Sequence, residues 1–266
     1  MSRFKVNDKQ IHLWTSAFLK ITDEATLKKY YCLLNNQEKA KLNRFRFSKD
    51  RHQFLVSRAL LKTVLSFYHA QVSAKDWRFR CNKYGKPAIS NKSVIDPVQF
   101  NMAHCDGMIV LAITRKNKIG VDVEYLNRPD SFFEVAANSF SSMEQAALSK
   151  LPENKRRKRF LELWTLKESY IKATGKGLSI PLDQFGFYLD EKDGITFSCD
   201  SLLNESAEQW TFWQFPYCDE FIIAFAAHDR SSASKAEICY REIVPMGDYQ
   251  HYSIADIRCS NQSDRD

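Results

Sequence analysis

The sequence predicts an α+β fold made of two pseudo-two-fold-related α/β halves, and an internal repeat carries that expectation. Leu34-Asn35-Asn36-Gln37-Glu38-Lys39-Ala40-Lys41-Leu42 parallels Phe140-Ser141-Ser142-Met143-Glu144-Gln145-Ala146-Ala147-Leu148. At the same offset Phe54-Leu55 falls on Phe160-Leu161, and Leu60 on Leu166. Residues 105–112 resemble residues 218–225, and the extended segment Ile11-His12-Leu13-Trp14 recurs as Ile119-Gly120-Val121-Asp122. These matches run in the same order, which places a boundary near residues 115–118. Helical and strand periodicities then alternate alike in both halves, so helices and strands mix twice over.

In each half a strand opens the unit. Next comes a short helix capped by Asn35 or Ser141, with Glu38 or Glu144 at the spacing of a capping box. A longer amphipathic helix follows. Val56, Ala59, Leu60, Val64 and Phe67 mark its apolar face in the first half, and Phe160, Leu163, Trp164, Tyr170 and Ile171 in the second. Gly175, Gly177 and Pro181 are stop signals for the second long helix. Apolar runs at 108–114, 210–215 and 221–227 read as strands. The polar, Ser-rich 230–235 reads as a linker. The expected organisation is 1–117, 118–230, and a C-terminal extension at 231–266 with no counterpart in the first half.

Composition narrows the function classes. With 266 residues, 44% of them hydrophobic, the chain has the means to bury a core, and no apolar stretch approaches the ~18 residues of a membrane span. The N-terminal residues lack the apolar stretch of a signal peptide. Seven cysteines, an odd number without a CxxC pair, disfavour zinc knuckles and a disulfide framework, and a cytoplasmic setting with reduced thiols is expected. A net charge of +7 points to an anionic partner, whether nucleic acid, phosphorylated small molecule or acidic protein.

Chemistry is expected where the two halves diverge. Asp122 and Glu124 share one face of a strand whose first-half counterpart carries no acidic pair. They read either as an exposed strand face or as hard-oxygen ligands for Mg²⁺. Glu168 lies one helical turn beyond Trp164 and Lys172 one turn further, while Lys167 interrupts the apolar stripe. That pattern fits a surface ion pair, or a third carboxylate completing a metal site. Tyr84-Gly85-Lys86-Pro87 is a turn carrying a cation beside an aromatic ring, and His104 is a lone histidine. The segment Arg44-Phe45-Arg46-Phe47-Ser48-Lys49-Asp50-Arg51 interleaves cations and aromatics, and Lys155-Arg156-Arg157-Lys158-Arg159 opens the second long helix.

In this order the segments resemble the Sfp-type 4′-phosphopantetheinyl transferases. Their (V/I)G(V/I)DxE segment stands here as Ile119-Gly120-Val121-Asp122-Val123-Glu124, and their (F/W)xxKE(A/S)xxK segment as Trp164-Thr165-Leu166-Lys167-Glu168-Ser169-Tyr170-Ile171-Lys172. Lys83-Tyr84-Gly85-Lys86-Pro87 and Phe100-Asn101-Met102-Ala103-His104 match two further motifs, and the likeness runs from about residue 10 to residue 228. The resemblance implies an active site in a cleft between the halves. It implies Mg²⁺-dependent transfer of the phosphopantetheine arm of coenzyme A to a serine of an apo acyl or peptidyl carrier protein, a holo-[acyl-carrier-protein] synthase activity that releases 3′,5′-ADP. Asp122, Glu124 and Glu168 would hold Mg²⁺, with Glu168 and Lys172 catalytic. Lys167 and Lys172 would neutralise the pyrophosphate. Arg44, Lys49 and His104 would meet the 3′-phosphate, with Arg51 and Arg58 as further cations, and Lys83, Tyr84, Gly85, Lys86 and Pro87 would frame the adenine and nearby phosphates. Many relatives place Ser or Thr before that histidine, where this chain has Ala103.

The implied partners are coenzyme A and a small acidic carrier domain, drawn in by the positive charge, with no nucleic acid or membrane and a monomer as the working unit. Phe132, Phe133 and Met143 are candidates for an apolar docking patch. Two other classes use some of the same residue types. A Mg²⁺-dependent nuclease usually carries acid-x-Lys on a strand, whereas here the Lys-Glu pair falls on a helix. A basic nucleic-acid-binding module leaves the three carboxylates without a role.

Overall fold

A computed structural model describes residues 4–128, 139–190, 194–200, 203, 205–228, 236–254 and 256–260. The chain forms two compact units. The first comprises Met1–Asn82, Pro87–Lys116 and Glu237–Ser253, the second Lys83–Lys86, Asn117–Ala236 and Ile254–Asp266.

In the first unit, β1 (Gln10–Ser16) leads to three helices: α1 (Glu24–Leu33), α2 (Asn36–Arg44) and α3 (Ser48–Tyr68). Asn35 caps α2 in a full capping box, its side chain accepting from the Glu38 N–H while Glu38 accepts from the Asn35 N–H. A two-stranded ribbon, β2 (Phe79–Cys81) and β3 (Pro87–Ile89), precedes the hairpin of β4 (Gln99–His104) and β5 (Ile109–Thr114). Val56, Ala59, Leu60 and Val64 of α3 are buried in one core with Trp14, Ile109, Leu111 and Ile113 from the sheet, and Phe67 packs at its margin. This is the apolar stripe the sequence predicts.

The second unit repeats the plan. It begins with β6 (Lys118–Tyr125) and continues with α4 (Ser142–Lys150), capped by the Ser141–Glu144 box, and α5 (Glu153–Thr174). The ribbon is β7 (Phe185–Leu189) with β8 (Ile195–Cys199), and the hairpin is β9 (Trp210–Tyr217) with β10 (Phe221–His228). Gly175 ends α5 in the left-handed region at φ 68°. The strand orders correspond. The opening strand pairs antiparallel with the second strand of the hairpin in both units, giving β1-β5-β4 and β6-β10-β9.

The C-terminal segment extends both sheets. Strand β11 (Glu237–Ile243) adds to β1 in parallel, Gln10 facing Glu237 and Thr15 facing Glu242, and β12 (Tyr249–Tyr252) follows it antiparallel. Thr15 and the Tyr240 hydroxyl hydrogen-bond at 2.9 Å, and Tyr30 donates to the Pro245 carbonyl at 2.8 Å. Strand β13 (Arg258–Cys259) lies on the outer edge of β9. The segment read as a linker, 230–235, lies outside the described residues, as do Phe132 and Phe133. No described helix is long and apolar enough to cross a membrane.

Candidate active site

Gly120 explains how the second unit brings its charged residues together. A Cβ there would stand 2.0 Å from the Ser169 carbonyl oxygen and 2.3 Å from the Ala173 nitrogen. Helix α5 therefore rests its backbone directly on β6, an approach that any larger residue blocks. Asp122 and Glu124 pair across the sheet with Ala224 and Ile222, which belong to the apolar core beneath α5. The two carboxylates thus face the helix rather than solvent, at 5% and 6% exposure. This resolves the alternative left by strand periodicity in favour of burial.

From the helix, Lys172 donates to Asp122 Oδ1 at 2.6 Å. Asp122 Oδ2 is buried with no hydrogen-bond partner. Glu124 pairs with Arg128, whose carbonyl in turn accepts from Arg157. Burial is the main cause that raises the pKa of all three carboxylates. Asp122 is pushed up by burial against the pull of Lys172. Glu124 is pushed up to about 7 by burial and the charge of Asp122. Glu168 is raised by burial and by Asp122, with Lys172 opposing. Lys172 itself is held above the usual lysine range because the attraction of Asp122, Glu168 and Glu124 outweighs its burial. Four titratable groups from β6 and α5 therefore share one electrostatic neighbourhood. Among the described residues, no three His, Cys, Asp or Glu side chains stand close enough together to enclose a metal ion.

Two lysines make contacts that the motifs do not foretell. Lys167 is fully enclosed, and its ammonium holds Glu144 Oε2 at 2.8 Å and the carbonyls of Leu182 at 2.8 Å and Phe185 at 2.6 Å. It points away from the carboxylate cluster, because neighbouring helix positions diverge by about 100°, and in this arrangement it is not placed to neutralise a pyrophosphate. Lys86 donates to the Ile119 carbonyl at 3.0 Å and the Ala173 carbonyl at 2.9 Å, tying its loop to β6 and α5. Burial first, then Lys118, lowers its pKa to about 8. In the same loop Lys83 lies over the Tyr84 ring at 4.8 Å, and Gly85 turns the chain at φ 92°. Pro87 begins β3.

In the first unit Lys49 pairs with Asp106 at 2.7 Å, which brings the start of α3 to the β4–β5 turn where His104 ends β4. Arg44, in the last turn of α2, and Arg51, in the first turns of α3, are exposed near that corner in sequence. Arg58 is half-buried along α3, over the Phe54 ring at 5.5 Å and 3.9 Å from Glu38, and its pKa is lowered by loss of solvation. A cavity of about 590 Å³ in this unit is lined by Phe4, Tyr68, His69, Asp96, Val98 and Arg115 among others, and contains none of the candidate residues. In the basic run, Arg156, Arg157 and Arg159 donate to backbone carbonyls of neighbouring segments. Sequence reasoning missed Arg128 as the partner of Glu124, since four residues on a strand and turn carry no contact rule comparable to that of a helix.

An α+β chain of two like units, with three carboxylates and a lysine gathered between a strand and a helix, has the makings of a group-transfer enzyme acting on phosphate esters. Comparison with known proteins gives the family. Residues 118–226 match the 4′-phosphopantetheinyl transferase superfamily, and residues 22–116 match the family described as 4′-phosphopantetheinyl transferase, N-terminal. The chain is similar to the 4′-phosphopantetheinyl transferase HetI of Nostoc sp., 30% identical over 64% of this chain and 70% of that protein. It is likewise similar to the 4′-phosphopantetheinyl transferase Sfp of Bacillus subtilis, 32% identical over 64% of this chain and 72% of Sfp. A phosphopantetheinyl transferase of Thraustochytrium sp. is 27% identical over 80% of this chain and 76% of its own length. The chain belongs to the 4′-phosphopantetheinyl transferase superfamily, and within it to the Sfp type.

Proposed function

We propose that this chain transfers the 4′-phosphopantetheine group of coenzyme A to a serine of an apo acyl or peptidyl carrier protein and releases 3′,5′-ADP. The serine oxygen forms a bond to the β-phosphorus, the bond from that phosphorus to the bridging oxygen breaks, and the serine proton leaves to a base. The observation that carries this reading is the cluster of Asp122, Glu124, Glu168 and Lys172 in a chain of this family.

The donor chemistry, three carboxylates from β6 and α5, is of the hard-oxygen kind that a divalent cation takes, although among the described residues the three do not stand close enough together to enclose one. Asp122 Oδ2 is a buried acceptor without a partner, and Glu124 and Glu168 have their pKa values raised first by burial and then by the charge of Asp122. We assign Mg²⁺ to Asp122, Glu124 and Glu168. Mg²⁺ would supply charge neutralisation on the pyrophosphate oxygens. Glu168 is assigned to take the serine proton directly or through a water, and the water relay suits a carboxylate that also holds Mg²⁺, since the cation lowers its basicity. Lys172 stays a full cation because its pKa is raised, and it balances the charge that grows on the departing 3′,5′-ADP.

By the family resemblance, Arg44, Lys49, Arg51 and His104 are assigned to the 3′-phosphate of coenzyme A, and Lys83, Tyr84, Gly85, Lys86 and Pro87 to its adenine end. For Lys86 the supported contribution is to hold that loop, since its ammonium already serves two carbonyls. A single chain carries both repeats and is proposed as the working unit, in a reducing cytoplasm. The surplus of positive charge favours an acidic carrier. The test is to incubate the chain with coenzyme A, Mg²⁺ and a panel of apo carrier proteins and to weigh each carrier by mass spectrometry. A gain of one phosphopantetheine group is expected, and no gain on any carrier contradicts the proposal.

A further inference from the structure

Lys167 stands beside the candidate base in sequence, yet its ammonium is committed elsewhere. An ammonium has three N–H bonds, and here three acceptors surround it. They are Glu144 of α4, the Leu182 carbonyl before β7, and the Phe185 carbonyl at the start of β7. Glu144 is engaged on its other side too, since its Oε1 accepts from the Phe187 N–H at 3.0 Å and its Oε2 accepts from the Ser141 N–H at 2.8 Å. One buried pair thus joins α4, α5 and β7. The Phe185 ring lies 4.4 Å from the ammonium and helps close the pocket.

The first unit contains the same device. Lys62 of α3 reaches the capping-box glutamate Glu38 at 2.5 Å and the Leu33 carbonyl at 2.7 Å. In both units a buried lysine of the long helix locks onto the N3 glutamate of the preceding helix. Only in the second unit is the next residue a carboxylate of the candidate site. Three bonds at position 167 fix the rotation of α5 about its axis, and that rotation sets where Glu168 and, one turn later, Lys172 point.

We propose that Lys167, through Glu144, is a positioning residue that holds Glu168 and Lys172 against Asp122, and that it does not touch coenzyme A. This inference rests on the transferase reading. It is tested on the full chain with two matched double variants, Glu144→Gln/Lys167→Met and Glu38→Gln/Lys62→Met. Each replaces an ion pair whose lysine is fully buried by neutral side chains of similar size, a change often tolerated by the fold. Thermal unfolding of each variant reports the stability lost, and activity is compared at equal distance below each melting temperature.

The second-unit variant is expected to raise the Mg²⁺ concentration for half-maximal activity about tenfold and to lower kcat about tenfold or more. Its KM for coenzyme A should stay within about twofold, as for a residue that makes no contact with that substrate. The first-unit variant should leave the Mg²⁺ dependence within about twofold despite a comparable loss of stability. Equal Mg²⁺ shifts in the two variants, an unmoved Mg²⁺ dependence at 144/167, or a rise confined to KM for coenzyme A would each overturn the inference. Should the second-unit double variant fail to fold, Glu144→Gln alone is expected to give the same Mg²⁺ shift at a smaller size, and no shift there overturns the inference as well. A wild-type chain inactive on every carrier would overturn the transferase reading itself, whereas an active wild type with an unmoved 144/167 variant overturns only the role of Lys167.

Discussion

Helix α5 carries two groups of buried charge on different faces, and they are finished to different degrees. Around Lys167, three oxygens meet the ammonium, and Glu144 serves two backbone N–H groups besides. Around Asp122, one carboxylate oxygen has Lys172 while the other is buried without a partner. There the pKa values of three carboxylates are raised, first by burial. A buried cluster with its bonds complete holds a fold together. One left short of positive charge costs stability and is ready to take a cation or a proton.

Removing an acid from the incomplete cluster should produce the largest effect. Asp122→Asn and Glu168→Gln are each expected to slow carrier modification by about a hundredfold or more. Their urea unfolding midpoints should stay close to wild type, because each replacement keeps the shape of the side chain and removes a charge that is costly to bury. Lost activity accompanied by an unfolded chain would erase the distinction between the two clusters.

Gly120→Ala probes the contact on which the cluster is built. The added Cβ meets backbone atoms of α5 at 2.0 and 2.3 Å, which a rotamer change cannot relieve. A loss of about 3 kcal/mol in urea unfolding is expected, at the upper end of overpacking effects. A loss below about 1 kcal/mol would show that helix and strand can separate freely there.

A smaller and more gradual effect separates the units by pH. Glu124 binds its proton more tightly when folded, with a pKa of about 7 against 4.5, owing to burial and Asp122. Its contribution favours folding below about pH 4.5 and is lost as pH rises through 7. His12 in the first unit is shifted the other way, to about 4 from 6.5, by burial and then by Arg241. Its contribution is present above pH 6.5 and is lost as pH falls through 4. Each group changes stability by at most about 1.4 kcal/mol per pH unit within its window. Hydrogen exchange followed separately in the two units should therefore show opposite pH trends. Parallel trends would contradict the burial assigned to one of the two groups.

Much of the fold was legible because its signals are local. The Asn35–Glu38 and Ser141–Glu144 capping boxes, the stripes of α3 and α5, and the Gly175 stop all lie within a few residues in sequence. Asp122, Glu124, Glu168 and Lys172 could be grouped from their motifs, and the structure brings them into one electrostatic neighbourhood. The parallel pairing of β11 with β1 joins opposite ends of the chain, and no local pattern encodes it. Lys167 was misplaced for a related reason. Adjacency to Glu168 in sequence says nothing about direction around the helix, and its partners lie on α4 and near β7. For Lys86, likewise, the motif gives no sign of the two carbonyls that its ammonium meets.

The most direct test of the contrast between the two clusters is a calorimetric titration of Mg²⁺ into the chain with coenzyme A present, repeated on Asp122→Asn. The account predicts a single saturable Mg²⁺ site in the wild type that weakens about tenfold or more in the variant, while its melting temperature is nearly unchanged. Equal Mg²⁺ affinity in the two proteins would contradict it.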